Sequence, residues 1–204
     1  MTRVVIVDTG LCNLHSIARA IEECGGTPLV TADSGDLAHG THIVLPGVGA
    51  FAEAMVRLRN RGIDAALDEQ VIGRGIPFLG VCLGMQLMAT RGWEGRGAEG
   101  LGWIDGEVGL IEAQPGERIP HIGWNEVIPT DNTQLFRDVG PARDFYFVHS
   151  YVLRAVRAED VAAVTPYGGG FVSAVSVRNI HGVQFHPEKS QLAGFAVLRN
   201  FLSV

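Results

Sequence analysis

The sequence predicts an α/β fold in three layers: an open, mainly parallel sheet with helices on both faces and an antiparallel extension. In the first half, short apolar runs alternate with amphipathic helical patterns, the order from which parallel sheets are built. In the second half, strand patterns follow one another, which is typical of antiparallel pairing. The 204 residues, 47% of them hydrophobic, are enough for one well-buried core. We therefore expect a single domain over residues 1–204.

The βα units can be followed along the first half. Residues 4–7 form a β-branched apolar run, as expected of a strand buried on both faces. Asn13 is placed to cap the next helix, which the pair Gly25-Gly26 ends. Further strands are predicted at 27–31, 42–45 and 78–82, and helices at 50–60, 63–72 and 83–89.

The second half begins with a glycine-rich segment, from Gly92 to Gly106, that we expect to be irregular. Strand patterns follow at 108–111, 122–128, 145–148, 161–165, 171–177 and 182–185, with a hairpin turn at 166–170. Ser190 opens a final helix. Its predicted inner face carries Leu192, Phe195, Leu198 and Leu202.

Charge and cysteine usage exclude several classes of protein. A formal charge of −6 without basic runs is a poor match to a polyphosphate, so no nucleic-acid partner is expected. The longest nearly apolar stretch, 77–89, is too short to span a membrane. The start of the chain turns acidic at Asp8, before a signal-peptide core could form, so we expect a cytoplasmic protein without a membrane partner.

The three cysteines, Cys12, Cys24 and Cys82, show no CxxC pairing. This spacing argues against a disulfide framework and against a structural zinc site. We therefore expect neither a metal nor a cofactor.

The segment Gly80-Val81-Cys82-Leu83-Gly84 joins an apolar strand to a helix. It has the pattern of a nucleophile elbow with Cys in place of Ser, in which flanking glycines permit a tight, strained turn. The start of the helix favours the thiolate of Cys82, and the Leu83 N–H is the natural first donor of an oxyanion hole. A buried structural cysteine between packing glycines is the alternative for this segment alone.

A second candidate cluster, Phe185-His186-Pro187-Glu188, follows the last predicted strand. Pro187 favours an extended His186, and residues two apart in an extended stretch point to the same side. His186 is thus a candidate base and acid, and Glu188 a candidate partner that orients the imidazole. A solvated His and a surface Glu are the alternative. The presence of both clusters in one chain favours the catalytic interpretation.

The turn at 46–51 also lies between a predicted strand and a helix. It can present the backbone N–H of Val48 or Gly49 to the elbow and complete a two-donor oxyanion hole. A plain turn is the alternative. A phosphate-binding loop is disfavoured, because neither the Walker spacing nor GxGxxG is present.

Together, the segments 80–86 and 186–188 resemble the class I, triad-type glutamine amidotransferases. The finer segments 45–51, 121–125, 146–151 and 186–190 resemble one branch, the glutaminase subunit of imidazole glycerol phosphate synthase in histidine biosynthesis. The resemblance covers essentially the whole chain. It departs in the first loop, where Thr9 and Cys12 replace the Tyr and Gly usual in that branch.

The resemblance implies L-glutamine as substrate. Cys82 would attack the amide carbon to form a thioester, His186 would move protons, and Glu188 would orient His186. Glutamine-binding roles are implied for Gly47, Gly49, Gln86, His149, Ser150 and Tyr151.

The resemblance also implies a partner, a cyclase subunit in a heterodimer. That subunit takes ammonia to make imidazole glycerol phosphate and aminoimidazole carboxamide ribotide. Because the glutaminase interpretation uses the whole chain, ammonia must pass to another chain. We expect weak glutamine hydrolysis in the absence of that partner. The expected interface residues are Asn13, Trp124, Asn125 and Lys189, the last being the only lysine in the sequence.

Three other functions remain open at this point. The chain could be a class I amidotransferase serving a different synthase, which the identity of its activating partner would reveal. It could be an independent cysteine hydrolase of peptides or γ-glutamyl chains, which robust turnover without a partner would reveal. A non-catalytic scaffold with a relic triad is the third.

Overall fold

The structure, a computed structural model, describes residues 2–10, 14–130, 133–140 and 144–204. The strands are β1 (Arg3–Val7), β2 (Thr27–Thr31), β3 (His42–Gly47), β4 (Phe78–Cys82), β5 (Ala89–Gly92), β6 (Ala98–Glu99), β7 (Ile104–Leu110), β8 (His121–Glu126), β9 (Ile128–Pro129), β10 (Asp144–His149), β11 (Tyr151–Ala155), β12 (Val161–Thr165), β13 (Phe171–Val177) and β14 (Ile180–Val183). The helices are α1 (Leu14–Glu23), α2 (Phe51–Asn60), α3 (Ile63–Leu67), α4 (Leu83–Gln86) and α5 (Gln191–Leu202).

The main sheet is parallel on one side and antiparallel on the other, as the sequence predicts. Within the described residues its strand order is β2-β1-β3-β4-β14-β13-β12-β9. Pairing is parallel from β2 to β14 and antiparallel from β14 to β9. The carboxyl ends of β3 and β4 therefore lie side by side, with Gly47 in register with Cys82. This edge is where the candidate site forms.

Helices cover both faces of the sheet because alternate strand residues point to opposite sides. Val4 and Ile6 pack in one apolar cluster with residues of α1 and α5. Val5 and Val7 pack in a second cluster with residues of α2 and α3. The predicted α/β fold in three layers is thus confirmed. No helix among the described residues is both long and apolar enough to cross a membrane.

The antiparallel extension consists of two smaller pairings beside the main sheet. Strand β10 pairs antiparallel with β8. Strand β11 pairs antiparallel with β7, which pairs parallel with β5, and β5 pairs antiparallel with β6. The predicted strand at 122–128 is divided, because 121–126 pairs with β10 whereas β9 joins β12 of the main sheet. Strand β11 was not predicted.

Two predicted helices are shorter than expected. The helix at 83–89 ends at Gln86, because the carbonyls of Leu87 and Met88 accept hydrogen bonds from the backbone at 101–104 instead of continuing the helix. The helix at 63–72 ends at Leu67 and continues as a π-helical turn over Asp68–Gly73. The glycine-rich segment is less irregular than expected, since it contains β6 and the start of β7.

The predicted inner face of the last helix is wrong at one position. Leu192 is 79% exposed, whereas the helix buries Gly194, Val197, Leu198 and Phe201. At about 100° per residue, position 192 is turned roughly 120° away from Leu198. Its side chain therefore leaves the core face.

Candidate active site

Cys82 ends β4 in a strained conformation. Its φ of 54° and ψ of −109° are rare for any residue with a side chain and mark a tight turn. The flanking glycines serve close packing. A Cβ on Gly80 would lie 2.6 Å from the Gly84 carbonyl oxygen, and one on Gly84 would overlap the Leu45 carbonyl. The strain therefore lies on the cysteine itself, and the glycines make room for it.

The turn after β3 lies directly beside this elbow. A Cβ on Gly47 would meet the Leu83 Cβ at 3.0 Å, so the two strand ends touch. Gly49 has a φ of 97°, which favours glycine, and Val48 is 38% exposed. The structure thus brings the backbone of Val48 and Gly49 to the same edge as Leu83 and Cys82.

His186 and Glu188 form a buried pair, with 2.8 Å between Nδ1 and Oε1. Their side chains are 6% and 9% exposed. His186 is extended, as the following proline predicts, but Glu188 lies in a 3₁₀ turn over Pro187–Lys189. The two side chains therefore meet through this turn and not through a continuous extended stretch.

The backbone of His186 is held by β10 and by Ser190. The His186 N–H donates to the Tyr146 carbonyl at 2.9 Å. The Ser190 hydroxyl accepts from the Tyr146 N–H at 3.0 Å and donates to the His186 carbonyl at 2.6 Å. The backbone that carries the imidazole is consequently held by β10 and by the start of α5.

The charges around His186 favour its imidazolium form. Burial lowers the pKa of His186, but the Cys82 sulfur and the Glu188 carboxylate outweigh that effect and raise its pKa to about 10. Its Nε2 is buried and has no hydrogen-bond partner among the described residues. A cysteine thiolate beside an imidazolium is the reactive pair that nucleophilic catalysis needs.

Two buried glutamine side chains lie behind the sulfur. The Gln184 Nε2 lies 3.7 Å from the Cys82 Sγ. The Gln86 Nε2 lies 3.0 Å from the Gln184 Oε1 and 2.8 Å from the Tyr151 carbonyl oxygen. The Cys82 thiol also lies 3.9 Å from the Val148 carbonyl oxygen.

Two histidines extend this network. His149 Nδ1 lies 3.0 Å from the Tyr151 carbonyl oxygen, and its Nε2 lies 2.9 Å from His121 Nδ1. His121 Nε2 lies 3.2 Å from the Asn125 side-chain nitrogen. Burial lowers the pKa of His149 to about 4, so its ring is neutral near pH 7. Both of its ring nitrogens are therefore engaged by the protein.

Sequence reasoning missed Gln184 and Glu94. Gln184 stands two residues before His186, so the same-side rule for extended residues was an available signal. Glu94 gave none: its Oε2 accepts the Phe51 N–H at 2.8 Å and caps α2 directly after the 46–50 turn. A contact between an irregular segment and a helix start cannot be read from local pattern.

The predicted interface residues lie in different environments. Trp124 is 49% exposed and packs edge-on to Tyr146 at 6.1 Å between ring centroids. The Lys189 Nζ lies 5.7 Å from the same Tyr146 ring. We call Trp124, Tyr146 and Lys189 the aromatic row. Asn125, the next residue in β8, is partly buried, and its side chain contacts His121, whereas Asn13, like Cys12, lies outside the described residues.

No cluster of three or more His, Cys, Asp or Glu side chains that could hold a metal ion occurs within 2–10, 14–130, 133–140 and 144–204. The ionisable groups at this site are Cys82, His186 and Glu188. His186 interacts with both of the others, because Cys82 and Glu188 raise its pKa.

Curated sequences similar to the chain match it over nearly its full length. The family model described as Glutamine amidotransferase class-I matches residues 5–203. Imidazole glycerol phosphate synthase subunit HisH 1 of Campylobacter jejuni is 42% identical over 199 residues, which is 98% of each chain. The HisH subunit of Moorella thermoacetica is 43% identical over 201 residues, covering 98% of this chain and 94% of its own.

Solved structures share the fold at lower identity. PurLQS from Thermotoga maritima superimposes with a TM-score of 0.76 at 19% identity, covering 99% of this chain and 98% of its own. The glutaminase domain of Trypanosoma brucei CTPS, solved with bound acivicin, gives a TM-score of 0.66 at 20% identity, covering 100% and 92%. These likenesses concern the arrangement of strands and helices.

Proposed function

The chain belongs to the class-I glutamine amidotransferase family, among the HisH subunits of imidazole glycerol phosphate synthase, and we propose that Cys82, His186 and Glu188 are its catalytic triad. The observation that carries this proposal is the convergence of a strained cysteine elbow and a buried His–Glu pair at one sheet edge. The reaction is hydrolysis of L-glutamine to glutamate and ammonia.

The proposed chemistry follows from the charges at the site. The Cys82 thiolate attacks the side-chain amide carbon, forming an S–C bond and moving the negative charge to the carbonyl oxygen. His186 donates its proton to the leaving nitrogen, which departs as ammonia and leaves a thioester. His186 then takes a proton from water, which attacks the thioester and releases glutamate and Cys82. Glu188 stabilises the imidazolium and fixes its orientation.

The oxyanion formed in both steps needs backbone donors at the elbow. We assign this role to the N–H of Leu83, which follows the nucleophile, and to the N–H of Val48 or Gly49 across the strand gap. The touching ends of β3 and β4 support this assignment.

Glutamine binds, in this proposal, between the 47–49 turn and the 149–151 segment. The binding residues are Gly47, Gly49, Gln86, His149, Ser150 and Tyr151. Both ring nitrogens of His149 are engaged within the protein, so 149–151 contributes through its backbone. The Gln86 nitrogen is likewise engaged, which leaves its Oε1 as the atom to accept from the substrate's ammonium group.

The partner we propose is a cyclase subunit, in a heterodimer that consumes the ammonia to make imidazole glycerol phosphate and aminoimidazole carboxamide ribotide. The aromatic row supports a docking face here, because Trp124 is exposed and Tyr146 is partly exposed, and Trp and Tyr are typical of interface centres. Tyr146 in this row also bonds to the His186 backbone, so the face adjoins the triad. We assign Trp124, Asn125, Lys189 and Asn13 to this interface.

We also propose that residues 1–204 are one catalytic domain and that the protein works in the cytoplasm. Full-length coverage by relatives of similar length supports the single domain. A catalytic thiol such as Cys82 needs a compartment that keeps it reduced, which supports the location.

The decisive experiment measures glutamate release from glutamine by wild type and by Cys82→Ser, with and without a cyclase subunit and its nucleotide ligand. We expect activity that rises with the partner and disappears in Cys82→Ser. The matched control is Cys24→Ser, which should retain activity. Cys24 is half-buried, and its thiol donates a hydrogen bond to the Phe195 carbonyl. Activity that survives Cys82→Ser would refute the triad, and high Cys82-dependent activity without a partner would refute the division of labour.

A further inference from the structure

We propose that Gln184 is a hydrogen-bond donor to the Cys82 nucleophile and that buried groups behind it dictate the direction of this bond. The inference rests on the proposed function insofar as Cys82 is the nucleophile. It adds a fourth side chain to the three of the proposed triad, and this side chain contacts the Cys82 sulfur. It also assigns a role to the buried pair His121 and His149.

Gln184 is positioned by the strand that leads to His186. Its side chain is fully buried, and its backbone N–H donates to the Ser173 carbonyl at 2.9 Å. It stands two residues before His186, so both side chains reach the same side of the chain. The distance of 3.7 Å from its amide nitrogen to the Cys82 sulfur is in the range for a hydrogen bond to sulfur.

The orientation of the Gln184 amide follows from Gln86. The Tyr151 carbonyl oxygen can only accept, so the Gln86 atom 2.8 Å from it is the amide nitrogen. That same nitrogen lies 3.0 Å from Gln184, so the Gln184 atom facing it is the carbonyl oxygen. The Gln184 nitrogen is then left to face Cys82. A flipped Gln184 would place two donors together and two acceptors together.

The two histidines fix the Tyr151 carbonyl from the other side. His149 Nδ1 must donate to it, so the neutral ring presents Nε2 as an acceptor to His121 Nδ1–H. His121 Nε2 then accepts from the Asn125 amide, whose oxygen already accepts the Glu126 N–H at 2.8 Å. In each of these contacts a donor faces an acceptor, which fixes the direction of the bonds along the network.

The effect of this bond is to favour the thiolate. A buried N–H donor stabilises a charged acceptor more than a neutral one. The ionisable group facing the sulfur is His186, backed by Glu188, and the neutral Gln184 adds a donor without adding charge. When the sulfur attacks carbon, its negative charge passes to the substrate oxygen, so Gln184 acts on the nucleophile before attack.

The test is the rate at which iodoacetamide alkylates Cys82 in the free chain, followed by mass spectrometry of the Cys82 peptide across pH. Gln184→Met keeps the length of the side chain and removes the donor. We expect its alkylation rate at pH 7 to fall about tenfold, as for one hydrogen bond to a charged group. The alkylation rate of Gln184→Glu should be lower still, because a carboxylate would face the sulfur.

The matched control is Gln70→Met, which replaces another buried glutamine, 4% exposed, in the π-helical turn. It should leave the alkylation profile unchanged. A folded Gln184→Met that alkylates like wild type would overturn the inference. If circular dichroism shows this variant unfolded, Gln184→Asn, whose shorter amide withdraws from the sulfur, replaces it with the same two outcomes. Alkylation needs no glutamine and no partner, so its result is independent of whether the chain hydrolyses glutamine.

Discussion

The imidazole of His186 and the carboxylate of Glu188 lie 2.8 Å apart, although Glu188 belongs to a 3₁₀ turn. Pro187 starts that turn, and the Ser190 hydroxyl closes it on the His186 carbonyl at 2.6 Å. The geometry of the pair is thus set by one turn of five residues. Because both side chains are nearly inaccessible, water does little to weaken their interaction.

Replacing Glu188 by Gln should slow catalysis without unfolding the protein. The variant keeps the shape of the side chain but removes the charge that helps to raise the pKa of His186. We expect kcat for glutamine hydrolysis in the presence of the partner to fall by about 10²–10⁴. The exposed Glu159 supplies the control: Glu159→Gln should keep wild-type kcat. Equal kcat values for the two variants would contradict the role of Glu188.

Replacing Lys189 by Ala should weaken partner binding. Its ammonium extends over the Tyr146 ring in the aromatic row, where a partner carboxylate would meet it. We expect the Kd for the cyclase subunit, measured by titration calorimetry, to rise several-fold (about 5-fold for about 1 kcal/mol). Arg199→Ala, an exposed charge near the far end of α5, is the control. Unchanged affinity together with unchanged ammonia transfer would exclude Lys189 from the interface.

Replacing Gly84 by Ala should destabilise the elbow. The new methyl group would overlap the Leu45 carbonyl, and a backbone atom cannot swing aside as a side chain can. We expect a loss of about 1–3 kcal/mol in the free energy of unfolding, measured in urea. Gly140→Ala is matched to it, since no atom of the described part of the chain would lie within 4 Å of its Cβ. A Gly84→Ala variant as stable as Gly140→Ala would contradict this, because it would show that the backbone of the elbow can move to accommodate the methyl group at little cost.

The protein should lose stability in acid through His181. Burial lowers the pKa of His181 to about 4, below the value of 6.5 in an unfolded chain. Between these values the unfolded state binds a proton that the folded state does not, so stability falls as pH falls from 6.5 to 4. We expect His181→Gln to reduce the stability lost between pH 7 and pH 4.5 by up to about 3 kcal/mol. The control His39→Gln, at an exposed position, should not reduce it. The free energy of unfolding of each variant is measured by urea titration at both pH values.

Much of the fold was predictable because strands buried on both faces leave a local mark. The apolar runs of β1, β3 and β4 identify the centre of the sheet without any knowledge of neighbours. The helix predicted at 83–89 ends early, at Gln86, because the backbone carbonyls after Gln86 accept hydrogen bonds from the backbone at 101–104. The prediction that Leu192 is buried was wrong because apolar residues occur on more than one face of this helix, and only the packing against the sheet decides which face is buried.

The sequence by itself predicted a cysteine at a strand-to-helix elbow and a pairing of His186 with Glu188, because the residues that form each feature are only a few positions apart. Only the tertiary structure decided that Gln86 bonds to Gln184, 98 positions away, and that Glu94 caps α2. Those contacts depend on which strand ends and loops come to one sheet edge. A hydrogen bond between distant residues has no local signal, since each partner alone has the pattern of an ordinary buried or surface residue.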